Sequence, residues 1–143
     1  MKRQVVAPLR IRGAAIAMAG VFTRAALAQS PVQAAAPNTP VGTWRGTSVC
    51  LMRSSACNDE TVIYRITPIN SADSLAIDAR KIVRGAEQEM GVLGCVLVPR
   101  ASQLTCTIPH GVWHFSVRND SLRGELRLVD NTRFREVRTI RAP

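Results

Sequence analysis

Apolar and polar residues alternate with period two through most of residues 42–141, the signature of strands with one buried face. Residues 42–49 set Trp44, Gly46 and Ser48 against Thr43, Arg45, Thr47 and Val49. Residues 60–67 set Val62, Tyr64 and Ile66 against Ile63, Arg65 and Thr67, and 74–83 set Leu75, Ile77 and Ala79 against Ala76, Asp78 and Arg80. Strands 90–98 and 103–108 follow. In 112–118, Trp113, Phe115 and Val117 oppose His114, Ser116 and Arg118. In 121–129, Leu122, Leu126 and Leu128 oppose Arg123, Glu125 and Arg127. Residues 133–141 make the last strand.

Turn chemistry punctuates these runs. Residues 68–73, 99–103, 109–111, 119–120 and 130–131 read as turns, and 84–89 as a polar loop. No long segment has a helical period. Eight short strands with one apolar face each predict an all-β fold. A small up-and-down antiparallel barrel suits them, because closure removes the exposed edges. A β-sandwich is the alternative.

Four cysteines allow three connectivities. Cys50 and Cys57 enclose LMRSSA, and Cys95 and Cys106 enclose VLVPRASQLT. A hairpin centred between Arg100 and Ala101 places Cys95 opposite Cys106, Leu97 opposite Leu104 and Leu93 opposite Ile108. The favoured pairing is therefore Cys50–Cys57 with Cys95–Cys106, each loop stabilising the fold by about 2–3 kcal/mol. Neither spacing is a C-x-x-C zinc or redox motif.

The N-terminus reads as a signal peptide over 1–28. Lys2, Arg3, Arg10 and Arg12 precede the short apolar run GAAIAMAGVF, and Ala26-Leu27-Ala28 is an A-x-A cleavage site. The run is too short for a membrane span. Residues 29–40 form a flexible Pro/Ala-rich leader, and 41–143 a single disulfide-stapled domain. Export fits disulfides formed in the periplasm or outside the cell.

Cleavage also changes the charge. The chain has 19 Lys+Arg against 10 Asp+Glu, a net of +9. Five of the basic residues lie in the signal, so 14 remain against the same ten acids, a net of +4. That balance suits an anionic ligand or acidic partner and is too weak to indicate nucleic acid. No stable membrane insertion is expected after cleavage.

Gly42-Thr43-Trp44 on the first strand resembles the G-x-W opening of calycins, the barrel superfamily of lipocalins, fatty-acid-binding proteins and avidins. The resemblance implies that Trp44 plugs one end of a barrel, under a basic side chain from near the last strand. Arg135, Arg138 and Arg141 are the candidates, with Arg138 taken as the plug residue. The segments GTWRGTSVC, CNDETVIYRI and SLRGELRLVDNTRFREVRTIR also resemble small exported bacterial proteins of uncharacterised activity.

Candidate chemistry is sparse. Trp44, Tyr64 and Trp113 fall on apolar faces, as core residues or as the lining of a ligand site. His110 sits in a turn and His114 on a polar face, with no further ligands placed to hold a metal. Ser48, Ser54, Ser55 and Ser116 lack a nucleophile elbow. The glycines form no phosphate-binding pattern. No catalytic residue, cofactor or metal ligand emerges, so the sequence does not support an enzyme.

Arg123, Arg127 and Arg135 form an arginine row, either a salt-bridged outer face or an anion-facing patch. Arg53 would sit at the tip of the Cys50–Cys57 loop. Two functions follow as expectations. One is a barrel binding a small molecule or envelope component. The other is a protein-interaction module, such as an inhibitor of an extracellular hydrolase, probing with Arg53.

Overall fold

The computed structural model describes residues 38–52 and 56–143. The signal and leader assignments over 1–37, and Arg53, Ser54 and Ser55, lie outside the described residues. Eight strands follow one another: β1 (Gly42–Cys50), β2 (Glu60–Ile69), β3 (Ser71–Val83), β4 (Ala86–Val98), β5 (Gln103–Ile108), β6 (Gly111–Arg118), β7 (Ser121–Leu128) and β8 (Arg133–Arg141). Each pairs antiparallel with its sequence neighbour, and β8 returns to β1, closing the barrel. The sandwich alternative is excluded. One 3-10 turn, Pro99–Ala101, joins β4 to β5.

The alternating residues do what their period predicts. Trp44, Val62, Tyr64, Ile66, Leu75, Ile77, Phe115, Val117, Leu122 and Val137 are buried and form one continuous core. Phe115 lies opposite Gly124 across β6 and β7. A Cβ on Gly124 would stand 2.4 Å from that ring, so the missing side chain is what lets the phenyl ring lie against the neighbouring strand.

Both expected disulfides are present, Cys50–Cys57 and Cys95–Cys106. Leu97 faces Leu104 as the hairpin register requires, with Val96 opposite Thr105. The same register brings Cys95 and Cys106 to a Cα separation of 4.2 Å. Such pairs belong to an oxidising environment.

Two strands run longer than the sequence pattern suggests. β3 begins at Ser71, after a reversal at Asn70 (φ 49°), with Pro68 and Ile69 inside β2. The expected loop 84–89 is instead a tight two-residue turn, Arg84-Gly85, with φ of 52° and 83°. These signs suit a type I′ hairpin, where glycine relieves the second left-handed position. Ala86 to Glu89 pair with Val83 to Arg80. This overhang is solvated, so its strands carry no apolar alternation. At its base a bulge sets Ala79 opposite Gly91 and Arg80 opposite Glu89, leaving Met90 between them.

Candidate functional site

The two ends of the barrel differ. At one end, Trp44 is fully buried and its indole Nε1 donates to the Pro40 carbonyl at 2.7 Å. The Arg141 guanidinium carbon lies 4.2 Å from the Trp44 ring centroid. Its nitrogens donate to the carbonyls of Val41 (2.9 Å) and Thr39 (2.7 Å), and Asp120 pairs with it at 3.3 Å. Trp44 is therefore buried beneath Arg141 at this end. The basic partner is Arg141 and not Arg138. On β8, Val137 and Thr139 face inward, so period two sends Arg141 inward and Arg138 outward, where it pairs with Glu136 at 2.7 Å.

The other end is open. A cavity of about 350 Å³ enters the barrel there. Tyr64, Ala79, Leu93, Trp113 and Leu126 form its walls, the Met90–Val92 bulge one side, and Ser48, Glu60, Phe134 and Arg135 the remainder. Trp113 stacks on Phe115 with centroids 5.2 Å apart, and Tyr64 meets the same ring edge-on at 5.9 Å. Three aromatic rings contributed by β2 and β6 thus form one packed cluster, of which Tyr64 and Trp113 reach the cavity.

Polar groups converge on one side. Arg135 donates to Ser48 Oγ at 2.9 Å and to Glu60 Oε2 at 2.5 Å. Its second terminal nitrogen donates to the Asn58 carbonyl and lies 3.3 Å from Cys57 Sγ. Lys81 holds the other Glu60 oxygen at 3.2 Å. Two cations against one carboxylate leave this corner net positive. The Arg135 side chain is only 12% exposed, so the ion pair is more than a solvated surface contact. Burial pushes the Tyr64 hydroxyl above the usual tyrosine range. Arg135 opposes this, Glu60 adds to it, and the hydrogen bond with Ser48 opposes it. The phenol is a neutral group in the wall.

Arg135, read from the sequence as part of the arginine row and as one candidate to cover Trp44, lies instead at the open end. The register sets it opposite the inward-facing Cys50. The signal was available: Arg135, Val137, Thr139 and Arg141 share one parity, so the inner face of β8 carries a basic residue at each end. Runs of arginine on both parities of the strand obscured it.

Arg123 and Arg127 do lie on the outer wall. Arg127 pairs with Glu125 at 2.5 Å, and Arg133 holds the other Glu125 oxygen. Burial works against the charged form of Glu125, but hydrogen bonds from Arg133 and Arg127 outweigh it and hold its carboxyl below the usual range. Arg127, Glu125 and Arg133 thus form a salt-bridged ladder. His110 is in the β5–β6 turn, and His114 is on the outer wall opposite Thr105 and Glu125. Among the described residues, no three His, Cys, Asp or Glu side chains group to hold a metal.

The Cys50–Cys57 loop borders the open end, where Asp59 accepts from the Cys50 amide at 2.8 Å. In comparisons with known proteins, the chain matches no family model, no curated protein and no solved structure.

Proposed function

We propose that this chain is an exported, calycin-type barrel that binds a small, largely apolar ligand in the cavity at its open end. One observation carries the reading: the cavity combines an aromatic wall, Tyr64 and Trp113, with a polar corner, Ser48, Glu60 and Arg135. Its volume of about 350 Å³ falls within the roughly 300–1,000 Å³ typical of small-molecule sites. Apolar walls with a few convergent polar groups are also the usual composition of such sites.

The calycin assignment is supported by Trp44 beneath Arg141 at the opposite end. Export to the periplasm or the medium is supported by the n-region, apolar run and A-x-A site at the N-terminus, and by the two disulfides. A bacterial source fits the style of that signal.

Native mass spectrometry of the protein purified from its producing cell tests the proposal against a denatured, non-reduced sample. A bound mass that is lost on denaturation, and reduced by Trp113→Ala, is the expected result. A bare polypeptide mass, with no uptake of an apolar fluorescent probe by the wild-type barrel, would sink it.

A further inference from the structure

Ten arginines lie on the eight strands, and seven of them are within salt-bridge distance of a carboxylate. The three with no carboxylate in reach among the described residues, Arg45, Arg118 and Arg123, lie on the outer wall within the contiguous run β6–β7–β8–β1. Ile140 on β8 faces Arg45 on β1 and Ser121 on β7. Arg123 directly faces Arg138 across β7 and β8, and Arg118 faces Ser121 across β6 and β7. The register therefore sets Ile140, 67% exposed, beside Arg45, Arg123 and Arg138, with Arg118 on the far side of Ser121.

This arrangement does not serve the fold. Like charges directly opposite on adjacent strands are destabilising, and an exposed aliphatic among them adds no core. Of the nearest acids, Glu136 pairs with Arg138 itself and Asp120 with Arg141, and neither is within salt-bridge distance of Arg45, Arg118 or Arg123. Beside Ile140, a hollow of about 490 Å³ is lined by Ser116, Arg118, Ser121 and Arg123. Two guanidinium forks and two hydroxyls, with no carboxylate, form a donor set matched to phosphate oxygens.

We propose that this face binds the surface of an anionic phospholipid bilayer, with a headgroup phosphate in the Ser116–Arg118–Ser121–Arg123 hollow and Ile140 at the boundary between headgroups and acyl chains. The contact is peripheral and independent of the cavity. On this face β6, β7 and β8 are each paired on both sides, so it offers no strand edge for a partner chain to extend. The outer wall of a closed barrel is convex and suits a broad, deformable surface. Basic side chains around an exposed aliphatic are the pattern of interfacial contact.

The test is sedimentation of the purified protein with vesicles of phosphatidylglycerol in phosphatidylcholine, and with phosphatidylcholine alone. The double variant Arg118→Gln/Arg123→Gln is expected to weaken binding to the anionic vesicles on the order of 30-fold, as two basic residues near such a surface imply. Ile140→Ser weakens it independently. Arg84→Gln/Arg100→Gln removes the same charge from two turns and changes binding by less than about twofold, because distant exposed charges are screened. Equal loss in both double variants overturns the site in favour of diffuse attraction to a basic protein. Wild-type protein that does not prefer anionic vesicles overturns it outright. Release from vesicles by inorganic phosphate at matched ionic strength, where sulfate-free chloride has no effect, assigns the hollow to a free oxyanion and overturns the lipid. Capture of a poly-glutamate peptide without vesicle binding assigns the face to an acidic protein segment instead.

Discussion

Arg141 covers Trp44 from the opposite end of the domain sequence, its guanidinium carbon 4.2 Å from the indole centroid. The same side chain binds the carbonyls of Thr39 and Val41 and the carboxylate of Asp120. One residue of the last strand thus ties together the entry to the first strand and the β6–β7 turn.

Arg141→Ala is expected to destabilise the barrel by about 1–3 kcal/mol. It removes a cation–π contact and leaves two carbonyls without their donor. Arg138→Ala, three residues away on the outer wall, is expected to change stability by less than about 0.5 kcal/mol. Urea unfolding separates them: the Arg141 variant shifts the midpoint at constant slope, and the Arg138 variant does not. Equal shifts would show that Arg141 acts only as a surface charge.

What the sequence disclosed, and what it hid, follows from periodicity. Strands with one face in the core, such as β6 with Trp113, Phe115 and Val117, announce their count, order and facing. The Cys95–Cys106 hairpin announced its register as well. The β3–β4 overhang has water on both sides, so 84–89 carried no such signal. The cavity was hidden for a different reason. Tyr64 and Trp113 were recognised as inward, but the space between them depends on how eight strands tilt and on the bulge at Met90. Glu60 and Lys81 were legible only as charged residues on separate strands. Arg135 unites them with Ser48 through contacts spanning more than seventy residues of sequence.

The two disulfides are expected to have separable effects. Each closes a short loop, and removing either costs about 2–3 kcal/mol by the loop-closure argument. Cys95 and Cys106 lie within the core, so Cys95→Ala/Cys106→Ala lowers the melting temperature and leaves uptake of an apolar probe near the wild-type level. Cys57 and Asn58 both contact Arg135. Cys50→Ala/Cys57→Ala therefore lowers the melting temperature and also weakens probe uptake. Identical binding by the two variants would disconnect the Cys50–Cys57 loop from the cavity.

Gly124→Ala puts a methyl group 2.4 Å from the Phe115 ring and 3.3 Å from Val137. The ring is 2% exposed and stacked on Trp113, so it has little room to turn aside. The expected cost is about 1–3 kcal/mol, as for overpacked cores. The double variant Gly124→Ala/Phe115→Leu should recover part of the stability lost through the clash, a coupling measurable in a double-mutant cycle. Strict additivity of the two substitutions would mean that the ring does not depend on the glycine.

Tyr64 is the only tyrosine of the chain, so its ionisation can be followed by absorbance without assignment. Burial raises its pKa above the ordinary value of 10.0. The folded state therefore retains the phenolic proton at a pH where the unfolded state loses it. The stabilisation is fully present below pH 10 and declines as pH rises beyond it, because the unfolded chain then binds fewer protons than the folded one. Absorbance of the phenolate is expected to appear only together with unfolding, as a single cooperative step seen equally by circular dichroism. Tyr64→Phe should flatten the fall in stability above pH 10, leaving the slope from other groups. A phenolate signal that rises smoothly near pH 10 while the circular dichroism stays native would place the hydroxyl in water, and would remove Tyr64 from the wall of the cavity.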